Sequence, residues 1–359
     1  MSGRRAVITG AGVCSPLGCD WPSFVEGVLA GDEASTAPFP GAPADVRCHP
    51  LANPTVLGDG PGRGEEPLGA LATVAVREAL ATAGIEAGDG PLDGVGLVMN
   101  TVLGPSTAIE GYLERLRERG PRASRPAQFV DTLLSMPASR VGIALRLRGS
   151  TAVLGGGGAI ELALDWVRHG REEVVVAGGA EYLSPKCLRY YQELALRSGS
   201  ERALAAQAAA FCVLEDAEHA ERRGARPLAE LMGSGAASEP QDVLLPWGCD
   251  RAGRAQAAAV REALRDASIS PETVELVALA SGDDASEEAE TEALRSVFGD
   301  ALSSVALLRP KRMLGEALGA SAGLGLLATV AAVQGGGGIA LVNAFEAGGG
   351  VSSLVVRVA

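Results

Sequence analysis

The hexapeptide AVREAL occurs twice in this 359-residue chain, at Ala75–Leu80 and at Ala259–Leu264. Each copy sits in an amphipathic helix, read over Leu68–Ala83 and over Ala257–Ala267. Each leads through a small-residue turn into an apolar strand, Val95–Asn100 in one case and Val274–Ala280 in the other. The same order of helix, turn and strand at two distant places marks an internal duplication. Apolar runs without polar alternation are strands buried on both faces, which requires helices on both sides of a sheet. The pattern therefore predicts an α/β chain of two related halves, residues 1–227 and 228–359. The first half carries an irregular excursion at 31–66, rich in Pro, Gly, Asp and Ala and without a period.

Residues 149–183, GSTAVLGGGGAIELALDWVRHGREEVVVAGGAEYL, link the elements of the first half. They read as a small-residue turn with four consecutive glycines, Gly155–Gly158. A helix follows, carrying Ile160, Leu162, Leu164, Trp166 and Val167 and ended by Gly170, and then the buried strand Val174–Ala177. A tight turn feeding a helix aims backbone N–H groups and the positive helix end at one point, which suits a nucleophile, yet no obvious nucleophile stands here. The glycines are read as permitting close helix approach. Near the N-terminus, Arg5–Gly10 reads as a strand and Gly10-Ala-Gly12 as its turn. The third glycine of a dinucleotide fingerprint is missing, so no nucleotide site is expected. Further helical segments are read over Gly104–Gly120, over Phe129–Leu147 with a break at Pro137, and over Gly315–Gly335.

A formal charge of −13 argues against a nucleic-acid groove or an anionic membrane face. No apolar run reaches the length of a membrane span, and the N-terminus lacks a leader pattern. The six cysteines (Cys14, Cys19, Cys48, Cys187, Cys212 and Cys249) form no C-x-x-C pair, so no metal or redox motif is read. Cys14 and Cys187 are taken as small core hydrophobes. A cytoplasmic protein without cofactor is expected.

Four segments, in this order, resemble a β-ketoacyl synthase of the thiolase fold: RRAVITGAGVCSPLG (4–18), VVVAGGAEYLSP (174–185), VLEDAEHAERRGARPLAELMGSG (213–235) and VNAFEAGGGVSSLVV (342–356). The resemblance spans nearly the whole chain and implies a thiolase-like fold, two duplicated βαβ-rich halves in an α-β-α-β-α core. The chain is short for that family, and ERALAAQAAA (201–210) replaces its Arg-Asp-Gly-Phe and Gly-Glu-Gly signature. The family's chemistry uses a Cys nucleophile and two histidines from the second half. Matching Ser150-Thr151-Ala152 to the family's Ser-Thr-Ala puts Val153 at the Cys position. The run from Leu276 to Glu292 puts Ser281 at the first His. PKRMLGEALGASAG (310–323) keeps Lys311, Gly315 and Gly319 and puts Glu316 at the second His. The chain has three histidines, His49, His169 and His219, and no cysteine between Cys48 and Cys187. The second half therefore cannot supply the imidazoles, and a valine side chain cannot be acylated. Lys311 and Glu292, both retained at family positions, are expected to form a structural pair, with Lys311 also a partner open to Glu316.

The resemblance extends to the family's non-catalytic branch, the chain length factors of bacterial type II polyketide synthases. Gly155-Gly156 matches the Gly-Gly that follows the replaced Cys there, while Val153 departs from the Gln common at that position. The short, Ala/Gly-rich chain looks more like factors paired with polyene-forming synthases. This implies an active ketosynthase and an acyl carrier protein as partners. It also implies a tunnel walled from the interface segments 104–147 by Ile109, Tyr112, Leu116, Phe129, Leu133, Leu134 and Met136, each of which has ordinary core as its alternative. Two other functions stay open: an acyltransferase or hydrolase using Ser281 or Thr151, which needs an adjacent base, and a stand-alone acyl-binding scaffold.

Overall fold

The computed structural model describes residues 3–41, 46–58, 66–86, 90–198, 204–238, 253–333 and 336–359. Cys249 and Gly335 lie outside the described residues. The first half runs β1 (Ala6–Cys14), α1 (Trp21–Ala30), the short pair β2 (Ala37–Pro38) and β3 (Arg47–Cys48), α2 (Pro67–Thr82), β4 (Val95–Thr101), α3 (Ser106–Arg119), α4 (Pro126–Val130), α5 (Met136–Leu145), β5 (Thr151–Gly155), α6 (Ala159–Arg168), β6 (Val174–Glu181), α7 (Pro185–Ser198), β7 (Ala208–Asp216) and α8 (Ala217–Arg222). The second half runs β8 (Ala229–Ser238), α9 (Arg254–Asp266), β9 (Leu276–Ala278), α10 (Asp284–Phe298), β10 (Ala306–Leu308), α11 (Pro310–Leu314), α12 (Ser321–Val333), β11 (Gly338–Glu346) and β12 (Gly350–Val358).

The strands lie in the order β10-β9-β11-β12-β8-β1-β7-β6-β4-β5. Leaving aside the short β2–β3 pair, the five strands of each half follow one rule. The third pairs with the second, the second with the fourth, the fourth with the fifth and the fifth with the first, and β1 joins β8 in the middle. Three apolar clusters separate the layers. α2 and α5 cover one face of β4, β6 and β7. α6 and α12 lie in the centre against strands of both halves. α9 and α10 cover β9, β11 and β12. This is the α-β-α-β-α arrangement expected of a thiolase-like fold. β1, β4, β6 and β7 are buried along their whole length, as strands covered on both faces must be.

The repeated hexapeptide has a matching receptor in each half. A Cβ on Gly12 would fall 2.0 Å from the Ala75 carbonyl oxygen, and one on Gly10 2.1 Å from that of Ala79. In the second half a Cβ on Gly235 would fall 2.2 Å from the Ala259 carbonyl oxygen, and one on Gly233 2.7 Å from that of Ala263. Each AVREAL helix thus rests its backbone on a Gly-x-Gly pair of the first strand of its half. This corrects Gly10-Ala-Gly12: it is strand interior, not a turn, and its glycines make room for α2. Thr82 Oγ1 then fixes α2 on β1, donating to Ala11 O and accepting from Ala11 N.

Other expectations shift for local reasons. Phe129–Leu147 is not one helix: α4 stops at Val130, and α5 starts at Met136 with Pro137 in its first turn, where a missing N–H costs nothing. The small-residue helix begins only at Ser321, because Gly315 at φ 82 and Leu318 at φ 47 break the chain before it. Residues 151–155 form a strand rather than a turn. The excursion contains the β2–β3 pair and a single turn at Pro54–Leu57.

Candidate functional site

β5 is the last strand of the sheet on the first-half side, paired in parallel with β4 alone among the described residues. Val153 stands in its middle, opposite Met99, partly buried against the α2–α5 cluster. The turn into α6 is Gly156–Gly158, after the strand. Gly156 at φ 138 and Gly158 at φ 83, the latter capping α6, hold backbone shapes that side chains disfavour. A Cβ on Gly157 would fall 2.0 Å from the Glu346 carboxyl carbon. Of the four glycines, Gly157 is thus the one that admits the end of β11 against the loop.

Asn100, at the end of β4, holds this loop to the second half. Its Nδ2 donates to Gly156 O at 3.0 Å and to Gly319 O at 3.1 Å, and its Oδ1 accepts from Gly156 N at 3.2 Å. Glu181, at the end of β6, grips the same junction. It accepts from Val102 N, Leu103 N, Thr101 Oγ1 and Gly319 N at 2.8 to 3.1 Å. Burial pushes its carboxyl up to about 7 against the pull of these four donors. Sequence reasoning passed over both residues. The available signal was a polar side chain ending an otherwise apolar strand.

Glu316 lies in the loop between α11 and α12, 3% exposed, and accepts from Leu318 N at 2.9 Å and Ser321 Oγ at 2.6 Å. Lys311 Nζ, 8% exposed, sits 2.5 Å from Glu316 Oε2 as an ion pair rather than an aligned hydrogen bond, and 5.8 Å from the centre of the Phe345 ring. The pair expected between Lys311 and Glu292 does not form. Glu292 is on the outer face of α10 and bonds Arg295, one turn along, whereas Lys311 points into the interior where Glu316 is the carboxylate that meets it.

Ser281 is buried beside Lys311, whose Cβ would lie 3.5 Å from a Cβ on Gly282. Its backbone N donates to Glu290 Oε2 at 2.9 Å. Glu290 Oε1 accepts from Ala280 N and from Asn343 Nδ2, and Asn343 Oδ1 accepts from Ser353 Oγ. Burial raises the Glu290 carboxyl. Thr151 is exposed at the start of β5. The imidazoles bond elsewhere: His49 to Ser35 O, His169 to Asp165 and His219 to Glu215. His49 does touch the loop, its ring packed where a Gly315 Cβ would be, but its Nδ1 is committed to backbone. Neither hydroxyl gains an imidazole base. Among the described residues no group of three or more His, Cys, Asp or Glu side chains could hold a metal ion.

Two carboxyls close the floor of the glycine loop. Burial and the neighbouring Glu161 carboxylate push Glu346 up to about 7, and burial raises Glu161, in both cases against the pull of the nearby Ser352. A carboxyl whose folded pKa exceeds the unfolded value stabilises the fold fully below about 4.5, and that contribution is lost as pH rises through about 7. The fold is therefore expected to weaken between pH 5 and 8. Glu346→Gln should remove a share of that slope on the order of 3 kcal/mol. Urea denaturation of both proteins across this range checks it, and parallel slopes would refute the assignment.

The seven residues of segments 104–147 lie on α3, on α4 and around the start of α5, and none is buried. Phe129, Leu133 and Leu134 are 51%, 41% and 41% exposed. Tyr112 and Phe129 meet with their rings tilted by 57° and ring centres 5.9 Å apart, and Tyr112 Oη bonds Ser124 Oγ. Ile109, Leu116 and Met136 are half-buried. Leu134 Cδ2 lies 3.7 Å from where a Gly155 Cβ would be, which sets this surface beside β5.

The β-ketoacyl synthase N-terminal domain matches residues 66–216 and the C-terminal domain residues 228–343. The Nodulation protein E of Rhizobium leguminosarum bv. trifolii is 32% identical over 284 residues, 74% of this chain and 69% of that protein. The chain belongs to the β-ketoacyl synthase family. Another β-ketoacyl synthase relative, the 3-oxoacyl-[acyl-carrier-protein] synthase 2 of Coxiella burnetii, is 28% identical over 365 residues, 93% of this chain and 87% of its own. Among solved structures, "The ishigamide ketosynthase/chain length factor" superposes with a TM-score of 0.84 at 24% identity, over 99% of this chain and 100% of that one. A type II PKS acyl-carrier protein in complex with its ketosynthase bound to the hexaketide gives 0.85 at 20% identity with the same coverage. These likenesses establish the β-ketoacyl synthase fold over both halves.

Proposed function

We propose that this chain is a non-catalytic chain length factor. It forms a heterodimer with an active ketosynthase, and its α3–α5 surface closes the tunnel in which a polyketide grows. The observation that carries this reading is an uncovered apolar surface (Phe129, Leu133, Leu134) standing beside β5, the strand whose Val153 the resemblance matches to the family's Cys. β5 adds an outer edge with no strand partner among the described residues, ready to pair with a second chain. Glu316, at the second imidazole position, is already committed to Lys311, and Ser281 lacks a base. What is left serves shape rather than bond-making. The growing chain would arrive on an acyl carrier protein, as in the solved type II PKS complex of a carrier protein with its ketosynthase.

Co-expression with the ketosynthase encoded beside it tests this. The expected result is a one-to-one complex on size exclusion with mass analysis, and loss of condensation when this chain is omitted. Leu133→Asp/Leu134→Asp should leave the melting temperature of the chain within about 2 °C, as surface changes do, yet abolish the complex. Tyr112→Trp and Met136→Ala should alter product length. A chain that stays alone while its ketosynthase condenses without it would overturn the reading in favour of a separate acyl-binding or hydrolytic role.

A further inference from the structure

β1 ends at Cys14 and the backbone reverses through Pro16-Leu17. The reversal is closed by Ser15 N donating to Gly18 O at 2.7 Å and Gly18 N donating to Ser15 O at 3.4 Å. A reciprocal pair of this kind sets the next residues outward, Cys14 and Cys19, opposite each other in a non-hydrogen-bonded position. Cα atoms in such positions are about 4.5 Å apart, and disulfides span about 4.4–6.8 Å. Both side chains pack into the same apolar cluster under α2, and Cys19 Sγ donates to Ser15 O at 3.9 Å. Glu78 of α2 braces both sides of the turn, accepting from Val13 N at 2.8 Å and from Trp21 N. The backbone is thus already in the shape that a bond between the sulfurs needs.

We propose that Cys14 and Cys19 are a redox-sensitive pair that closes to a disulfide and clips β1 to the start of α1. Cys19 is the half-exposed member and Cys14 is fully buried. The neighbouring Cys14 thiol lowers the Cys19 thiol below its usual range, whereas Cys14 is raised by Cys19 and by burial. Cys19 is therefore the attacking thiolate. With hydrogen peroxide as oxidant, its sulfur takes one oxygen as the O–O bond breaks, giving a sulfenic acid and, with a proton, water. The Cys14 sulfur then displaces the sulfenic oxygen, its own proton leaving with that oxygen as a second water. Two thiols are oxidised and one peroxide is reduced. Burial pushes Cys48 up to about 11 and Cys212 up to about 12 and also raises Cys187, so these remain slow thiols.

The test uses the full-length chain, treated with hydrogen peroxide, quenched with an alkylating reagent under denaturing conditions and digested with trypsin. The peptide Ala6–Arg47 contains Cys14 and Cys19 and no other cysteine. The expected product is this peptide two hydrogens lighter and free of alkyl groups, with both alkylations restored by dithiothreitol. The oxidised chain should melt roughly 2–5 °C higher than the reduced one. In Cys19→Ser, Cys14 should stay alkylatable after peroxide. A wild-type peptide that emerges doubly alkylated, or with Cys19 as the sulfinic acid and Cys14 alkylated, would overturn the proposal.

Discussion

Lys311→Met is expected to destabilise the fold by about 3–5 kcal/mol, the typical consequence of leaving one member of a buried ion pair without the other. The carboxylate left behind is that of Glu316, which would keep only Leu318 N and Ser321 Oγ as donors in a site closed to water. The loss should come from the stranded charge rather than from missing lysine contacts, because methionine refills most of the lysine stem's volume. Lys311→Met/Glu316→Gln should then recover at least about 2 kcal/mol of it, since the amide keeps an acceptor for both donors and brings no charge. Urea unfolding of the two variants beside the parent decides the matter. A single variant within about 1 kcal/mol of the parent would mean that the pair is solvated and holds nothing.

Gly179→Ala is expected to cost about 3 kcal/mol or more, or to prevent folding, because overpacking against backbone cannot be relieved by a rotamer change. The added Cβ would lie 1.9 Å from Gly319 O and 3.0 Å from Asn100 O. Gly319 cannot retreat, since its own α-carbon already faces Thr101 at a distance that leaves a Cβ only 2.5 Å. The clash therefore falls on the junction that Asn100 and Glu181 hold between the halves. Gly111→Ala is the control: Gly111 is inside α3 with nothing within 4 Å of a new Cβ. It should be stabilised by about 0.5–1 kcal/mol through helix propensity. Thermal melts of both variants test the contrast, and equal effects would show that the β6–Gly319 contact yields.

What the sequence disclosed followed from how local each cause is. The duplication was legible because Ala75–Leu80 and Ala259–Leu264 do the same job, and a helix that presses its backbone on a strand tolerates few residues. The receptor of that contact was not legible: Gly10-Ala-Gly12 has the composition of a turn, and only the helix above it explains its extended backbone. β5 was hidden for the converse reason, since a five-residue strand flanked by glycines is fixed by pairing with β4. At the candidate site, the lack of cysteine and histidine at the matched positions needed no more than counting. The partner of Lys311 needed the path of the loop, because a buried cation takes the carboxylate that shares its side of the wall. Glu161 and Glu346 are 185 residues apart by their numbers, and no local pattern announces that the two carboxyls are neighbours.

The two outermost strands answer to each other by position in their halves, yet they are finished differently. β10 has three residues and runs straight into Arg309-Pro310, a charge and a ring that discourage strand addition. β5 has five, Thr-Ala-Val-Leu-Gly, with neither device. A chain built this way carries an open template until something covers it. An uncovered edge of this kind favours pairing between copies of the chain.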